Sequence, residues 1–173
     1  LSTFDMVPHR PDPECSTPGK LGPGIPEEHT TPYPYQFGVN PDDPTQIDLR
    51  ETIAFVALCG ELGIKLLNTT AGSPYYTPHL QRPAAYPPSD GYQPAYDPLI
   101  DLARQIGVVR QLKAVLPEEM AIIASGLSYL QEYLPHVCQA LLRDNWTDCV
   151  GLGRVVLSYP NILAAAMEQG GLE

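Results

Sequence analysis

The sequence predicts an α/β fold built on a parallel sheet, and three observations carry that expectation. Short apolar runs alternate with helical periodicities, the pattern that right-handed β-α-β crossovers leave in a chain. Two of the runs, Ile122-Ile123-Ala124 and Cys149-Val150, each end in a glycine turn, Ser125-Gly126 and Gly151-Leu152-Gly153-Arg154. Such turns bare backbone N–H groups beside a helix start and a guanidinium, a combination that suits a phosphate.

The elements follow in order. Residues 1–47 form a loop-rich segment, because from Asp5 to about Thr45 Pro, Gly, Asp and Glu crowd the chain and no period emerges. Residues 48–173 carry the alternation, and the whole of 1–173 reads as one domain. Asp48 is placed as an N-cap three residues before Glu51, with Leu49, Ile53, Val56 and Ala57 on one helical face. Gly63 stops that helix and Ile64–Thr69 reads as a strand. A second loop, rich in Pro and Tyr, runs from Ala71 to Tyr96; Asp97 and Pro98 then open a helix whose buried stripe is Leu99, Leu102, Ile106, Val109 and Leu112. Pro117 ends it. The strand Met120–Ala124 leads into a helix that Pro135 kinks or restarts, and Cys149-Val150 closes the series.

Composition narrows the function. Ten Lys and Arg against twenty Asp and Glu leave a net charge of -10, so a nucleic acid or an anionic membrane would be repelled, while a local anion site remains allowed. No apolar run approaches the roughly 18 residues of a membrane span and the N-terminus has no signal-peptide core, which makes a cytoplasmic setting the expectation. Cys15, Cys59, Cys138 and Cys149 show no paired spacing; Cys59 and Cys149 are expected to be buried thiols. His9, Cys15 and His29 share a loop, but their spacing matches no zinc signature, and no metal is expected.

Several blocks together resemble a family. Phe4-Asp5-Met6-Val7-Pro8, Asn68–Tyr76, Pro78-His79, Gln81-Arg82-Pro83, Pro87–Tyr92, Ser125-Gly126 and Gly151–Arg154 are similar, in this order, to the C-terminal half of NADH:flavin oxidoreductases of the Old Yellow Enzyme type. The resemblance spans nearly the whole chain. It implies the C-terminal half of a (β/α)8 TIM barrel, about strands five or six to eight, and therefore an incomplete barrel, since a closed one usually needs about 200 residues or more. Leu1 falls in a segment resembling the end of the fifth strand, so the chain is expected to be a fragment of a longer polypeptide, inactive by itself and prone to associate as a homo-oligomer.

The resemblance further implies flavin mononucleotide (FMN) as cofactor, its phosphate held by Ser125, Gly126, Gly153 and Arg154, with NADH or NADPH as hydride donor and a small molecule bearing an activated C=C bond as acceptor. Tyr75, Tyr76, His79 and Arg82 follow the sixth-strand candidate and would project over the barrel mouth toward the substrate. The family's proton-donating Tyr and its carbonyl-binding pair lie upstream of Leu1, so no catalytic residue is carried over. Two rivals stand beside this reading: a flavin-independent phosphate-binding barrel enzyme, and a non-catalytic module that binds a partner through its Pro/Tyr-rich loops. A Rossmann site is disfavoured, because Val156 stands where the third glycine belongs. Neither a nucleophile elbow nor a Walker loop occurs.

Overall fold

The computed structural model describes residues 1–87 and 91–168. Pro88, Ser89 and Asp90, part of one resemblance block, lie outside the described residues.

The fold is mixed α/β. Its centre is a parallel sheet of β3 (Leu66–Thr69), β4 (Ala121–Ala124) and β5 (Cys149–Val150), arranged in chain order. The N-terminal residues lie alongside β3 as a further parallel neighbour: Thr3 N–H donates to the Thr70 carbonyl at 2.8 Å and Thr70 N–H to that of Leu1 at 2.9 Å. Between the strands lie α1 (Arg50–Glu61), α2 (Pro78–Gln81), α3 (Leu99–Val115) and α4 (Leu134–Arg143), with α5 (Val155–Ser158) and α6 (Ile162–Glu168) after β5.

The period-2 alternation of a strand sends neighbouring side chains to opposite faces, and here the faces differ. Leu67, Ile122 and Ala124 are buried in one apolar cluster with Val56 and Cys59 of α1, Val108 and Leu112 of α3, and Leu134 and Leu141 of α4. On the other face Leu66 is 56% exposed, Asn68 and Cys149 are exposed and Ile123 is partly so. Parallel sheets are ordinarily covered on both sides, so this open face is unusual.

Local chemistry explains most boundaries and corrects several expectations. Asp48 does not form a capping box; its carboxylate accepts the Arg50 N–H at 3.1 Å, and Leu49 occupies the cap position itself. The buried face of α1 is Thr52, Val56 and Cys59, because Thr52 Oγ1 donates to the Thr3 carbonyl at 2.7 Å and turns the helix toward the N-terminal segment; Ala57 is exposed. Asp97 likewise accepts a helix-start amide, Leu99 N–H at 2.9 Å, while Pro98 holds the cap position itself; Leu99 is 49% exposed and Asp101 and Gln105 take buried positions. Pro135 restarts rather than kinks the helix, falling in the first turn of α4 after a 3-10 segment, Leu127–Tyr133. The N-terminal loop contains a short antiparallel pair, β1 (His9–Pro11) with β2 (Gly24–Pro26), and Cys149 is exposed because it faces the open side of the sheet.

The two-residue β5 is held by side chains as well as by its ladder. Ile122 N–H donates to the Asp148 carboxylate at 2.9 Å and Ala124 N–H to Thr147 Oγ1 at 3.2 Å, while Lys113 Nζ at the end of α3 reaches Asp148 at 2.6 Å. Partial burial works against the Asp148 charge, but Lys113 and the Ile122 N–H outweigh it and hold the carboxyl below its ordinary value.

Candidate functional site

A cavity of about 1250 Å3 opens at the C-terminal ends of β3 and β4, where ligand sites of parallel α/β folds form. Five of the eight residues singled out from sequence line it: Tyr75, His79 and Arg82 on the β3 side, Gly126 and Arg154 on the other. Tyr76, Ser125 and Gly153 do not. Tyr76 is 59% exposed, and its carbonyl accepts the His9 N–H at 2.9 Å. Ser125 Oγ turns to Asn68 Oδ1, at 2.5 Å, on the open face of the sheet.

The reasons for the two expected phosphate-site glycines separate. Gly126 has φ 86°, and a Cβ there would fall 2.8 Å from Gln105 Oε1, so the fold itself demands glycine. Gly153 is different: a Cβ would meet nothing within 4 Å. The helix after Arg154 is one turn long, four residues, so its dipole contributes little and the site rests on side chains instead.

At this end the side chains are cationic. Arg82 and Arg154 make no ion pair with a carboxylate, and no Asp or Glu lines the cavity, among the described residues. Burial and the nearby Arg82 charge both hold the Arg154 guanidinium below its ordinary value. Two like charges sharing one cavity on a chain of net charge -10 gain most when an anion lies between them. Gln131, which lines the same cavity, adopts φ 49°, ψ -119°, a backbone state that costs energy in a non-glycine residue.

The opposite end is aromatic and neutral. The Tyr92 hydroxyl lies 2.6 Å from His79 Nδ1, and the His9 and His79 rings stand 4.5 Å apart. Burial first, then the His9 ring and Arg104, push the His79 pKa down to about 3; burial also lowers that of His9 and raises that of Tyr92. Behind them Tyr96 donates to Asp101 at 3.0 Å, and Arg104 reaches both, at 2.8 and 2.9 Å. Asp101 is 1% exposed, and burial raises its pKa despite Arg104 and Tyr96.

His9, Tyr92 and Gln131 were not legible as site residues. His9 meets His79 across 70 positions of chain, and nothing local to a Pro-rich loop signals that pairing. No family model matches the chain, and no curated protein and no solved structure matches it at a significant level. No helix among the described residues is long and apolar enough to cross a membrane.

Proposed function

We propose that this chain carries the phosphate-binding end of an FMN-dependent oxidoreductase of the Old Yellow Enzyme type, on the C-terminal half of a (β/α)8 barrel. The observation that carries the reading is that Arg82 and Arg154 line one cavity beside Gly126, with no carboxylate lining it among the described residues. A phosphate monoester placed there relieves the repulsion between the guanidiniums and accepts two charge-assisted hydrogen bonds. The residues present therefore fit a phosphate, with Ser125 turned away toward Asn68 and Arg82 taking its place among the ligands.

The chain-order, all-parallel sheet is the arrangement that successive strands of a barrel adopt. The open face also supports the barrel reading, since further strands or a second copy would cover it as a barrel interior or an oligomer interface. The four free cysteines agree with a reducing, cytoplasmic setting.

When bound, flavin supplies the hydride chemistry, from NADH or NADPH to an activated C=C bond. This chain's residues bind and orient. Arg82 and Arg154 neutralise the phosphate, and the aromatic end lined by Tyr75, His79 and Tyr92 offers a drier surface for the reacting partner. A flavin-independent phosphate-binding enzyme uses the same arginine pair, so the test must separate phosphate from flavin.

Titration with FMN, riboflavin and inorganic phosphate does so. Arg154→Ala should weaken FMN binding by about 1.5–3 kcal/mol, the range of a charge-assisted hydrogen bond, and leave riboflavin unaffected. Phosphate binding with no flavin preference would favour the flavin-independent enzyme. Equal FMN affinity in wild type and variant would remove Arg154 from the site.

A further inference from the structure

The histidine end of the cavity presents a defined pattern of hydrogen-bonding groups. Tyr92 is 8% exposed, and among the described residues its phenol has one partner, His79 Nδ1 at 2.6 Å. A buried phenol needs an acceptor for its proton, so His79 Nδ1 accepts and the imidazole proton sits on Nε2. His9 Nδ1 stands 2.8 Å from the Val7 carbonyl oxygen, which can only accept. His9 therefore carries its proton on Nδ1 and leaves a lone pair on Nε2. Neither Nε2 has a hydrogen-bond partner among the described residues, and neither is sealed from solvent. Both rings line the same cavity.

We propose that His9 and His79 together read a neutral carboxamide, His79 Nε2–H donating to its carbonyl oxygen and the His9 Nε2 lone pair accepting from its N–H. The opposite tautomers decide the class. A carboxylate would satisfy His79 but set its second oxygen against the His9 lone pair; an ammonium would do the reverse. Neither ring charges easily to rescue a mismatch. His79 is partly buried and lies near Arg104 and the His9 ring, and His9, though near Glu27, is lowered chiefly by partial burial. Tyr92 resists ionisation for the same reason, with Tyr96 and Asp101 beside it. The pair is thus a recognition element rather than a proton relay, and it holds whether or not the cavity takes a flavin.

The test compares benzamide, benzoate and benzylamine on the full chain by ligand-observed saturation-transfer spectroscopy, which tolerates oligomers. Arg82, in the same cavity, would by charge alone favour benzoate. We expect benzamide to bind about tenfold tighter than either competitor. Tyr92→Phe frees the His79 tautomer and should collapse that preference to about twofold. Benzamide selectivity in a chain that takes no FMN tells a failed flavin reading apart from a failed carboxamide reading. Benzoate binding as well as benzamide, or no benzamide binding, overturns the proposal. So does a 15N spectrum of the unmutated chain with the His79 proton on Nδ1, which needs no variant to fold.

Discussion

The two ends of the cavity handle polar groups in opposite ways. At one end Tyr92, Tyr96, Asp101 and Arg104 are tied to one another or to His79 by bonds of 2.6–3.0 Å, and burial holds both histidines neutral. At the other, Arg82 and Arg154 face the same space with no carboxylate partner among the described residues. Apart from the two imidazole Nε2 atoms, the first end is satisfied by the protein itself, and its residues belong to the stability of the fold. The second is not, and its residues should be nearly dispensable for folding.

Removing the buried carboxylate tests the difference most severely. Asp101→Ala leaves Arg104 without its partner and Tyr96 without an acceptor, and should destabilise the protein by about 3 kcal/mol in denaturant titration. A loss below about 1 kcal/mol would mean that the network is decorative.

Next comes Gly126→Val, at the boundary between the ends. The positive φ and the 2.8 Å approach to Gln105 make this a folding defect: about 2 kcal/mol of stability should be lost, since a β-branched residue is strained in a left-handed conformation and must also displace the Gln105 amide.

The pH dependence of stability sharpens the comparison further. His79 has a folded pKa of about 3 against an ordinary 6.5, so between those values the unfolded chain binds a proton that the folded chain does not. Stability is then complete above the ordinary pKa and falls as pH drops below it, with a slope approaching about 1.4 kcal/mol per pH unit. Denaturation midpoints read between about pH 6.5 and pH 5, above the ordinary carboxylate range, should show this slope, and His79→Asn should remove all but the shares of His9 and of the raised carboxyls Asp5 and Asp101. The smallest effect belongs to the arginine end: Arg154→Ala should change stability by no more than about 0.5 kcal/mol, and a larger loss would show that the guanidinium is structural.

The same contrast marks how far the sequence could be read. The parallel order, the helix after Asp97 and the restart at Pro135 were legible because each depends on neighbours in the chain. Arg154 was legible as a cation beside a glycine turn, a local pattern, and Arg82 as a cation in the loop that follows the Ile64–Thr69 strand. Their sharing of one cavity was not, nor was the contact of His9 with His79, because both depend on how distant loops meet. Asp101 and Gln105 were missed for a further reason: in a helix of mixed composition, burial follows the partners a polar group can find, here Tyr96, Arg104 and the Leu80 carbonyl, rather than hydropathy. Cys149 was read as buried because it falls in an apolar strand pattern, and a parallel strand is normally covered on both faces, whereas here one face is open.

A strand of two residues is poorly protected against sliding along its neighbour, because so few ladder bonds distinguish one alignment from another. In this protein the alignment of β5 is written into the two residues that precede it. Thr147 Oγ1 takes the Ala124 amide and lies within reach of the Ile122 and Cys149 carbonyls, and the Asp148 carboxylate takes the Ile122 amide. These groups act as a keyed connector that mates in one position. Arg154 follows six residues after Asp148, so that connector also sets how far the guanidinium reaches over the cavity. Thr147→Val, which keeps the shape and deletes the key, would be felt at the mouth of the site before it was felt in the core.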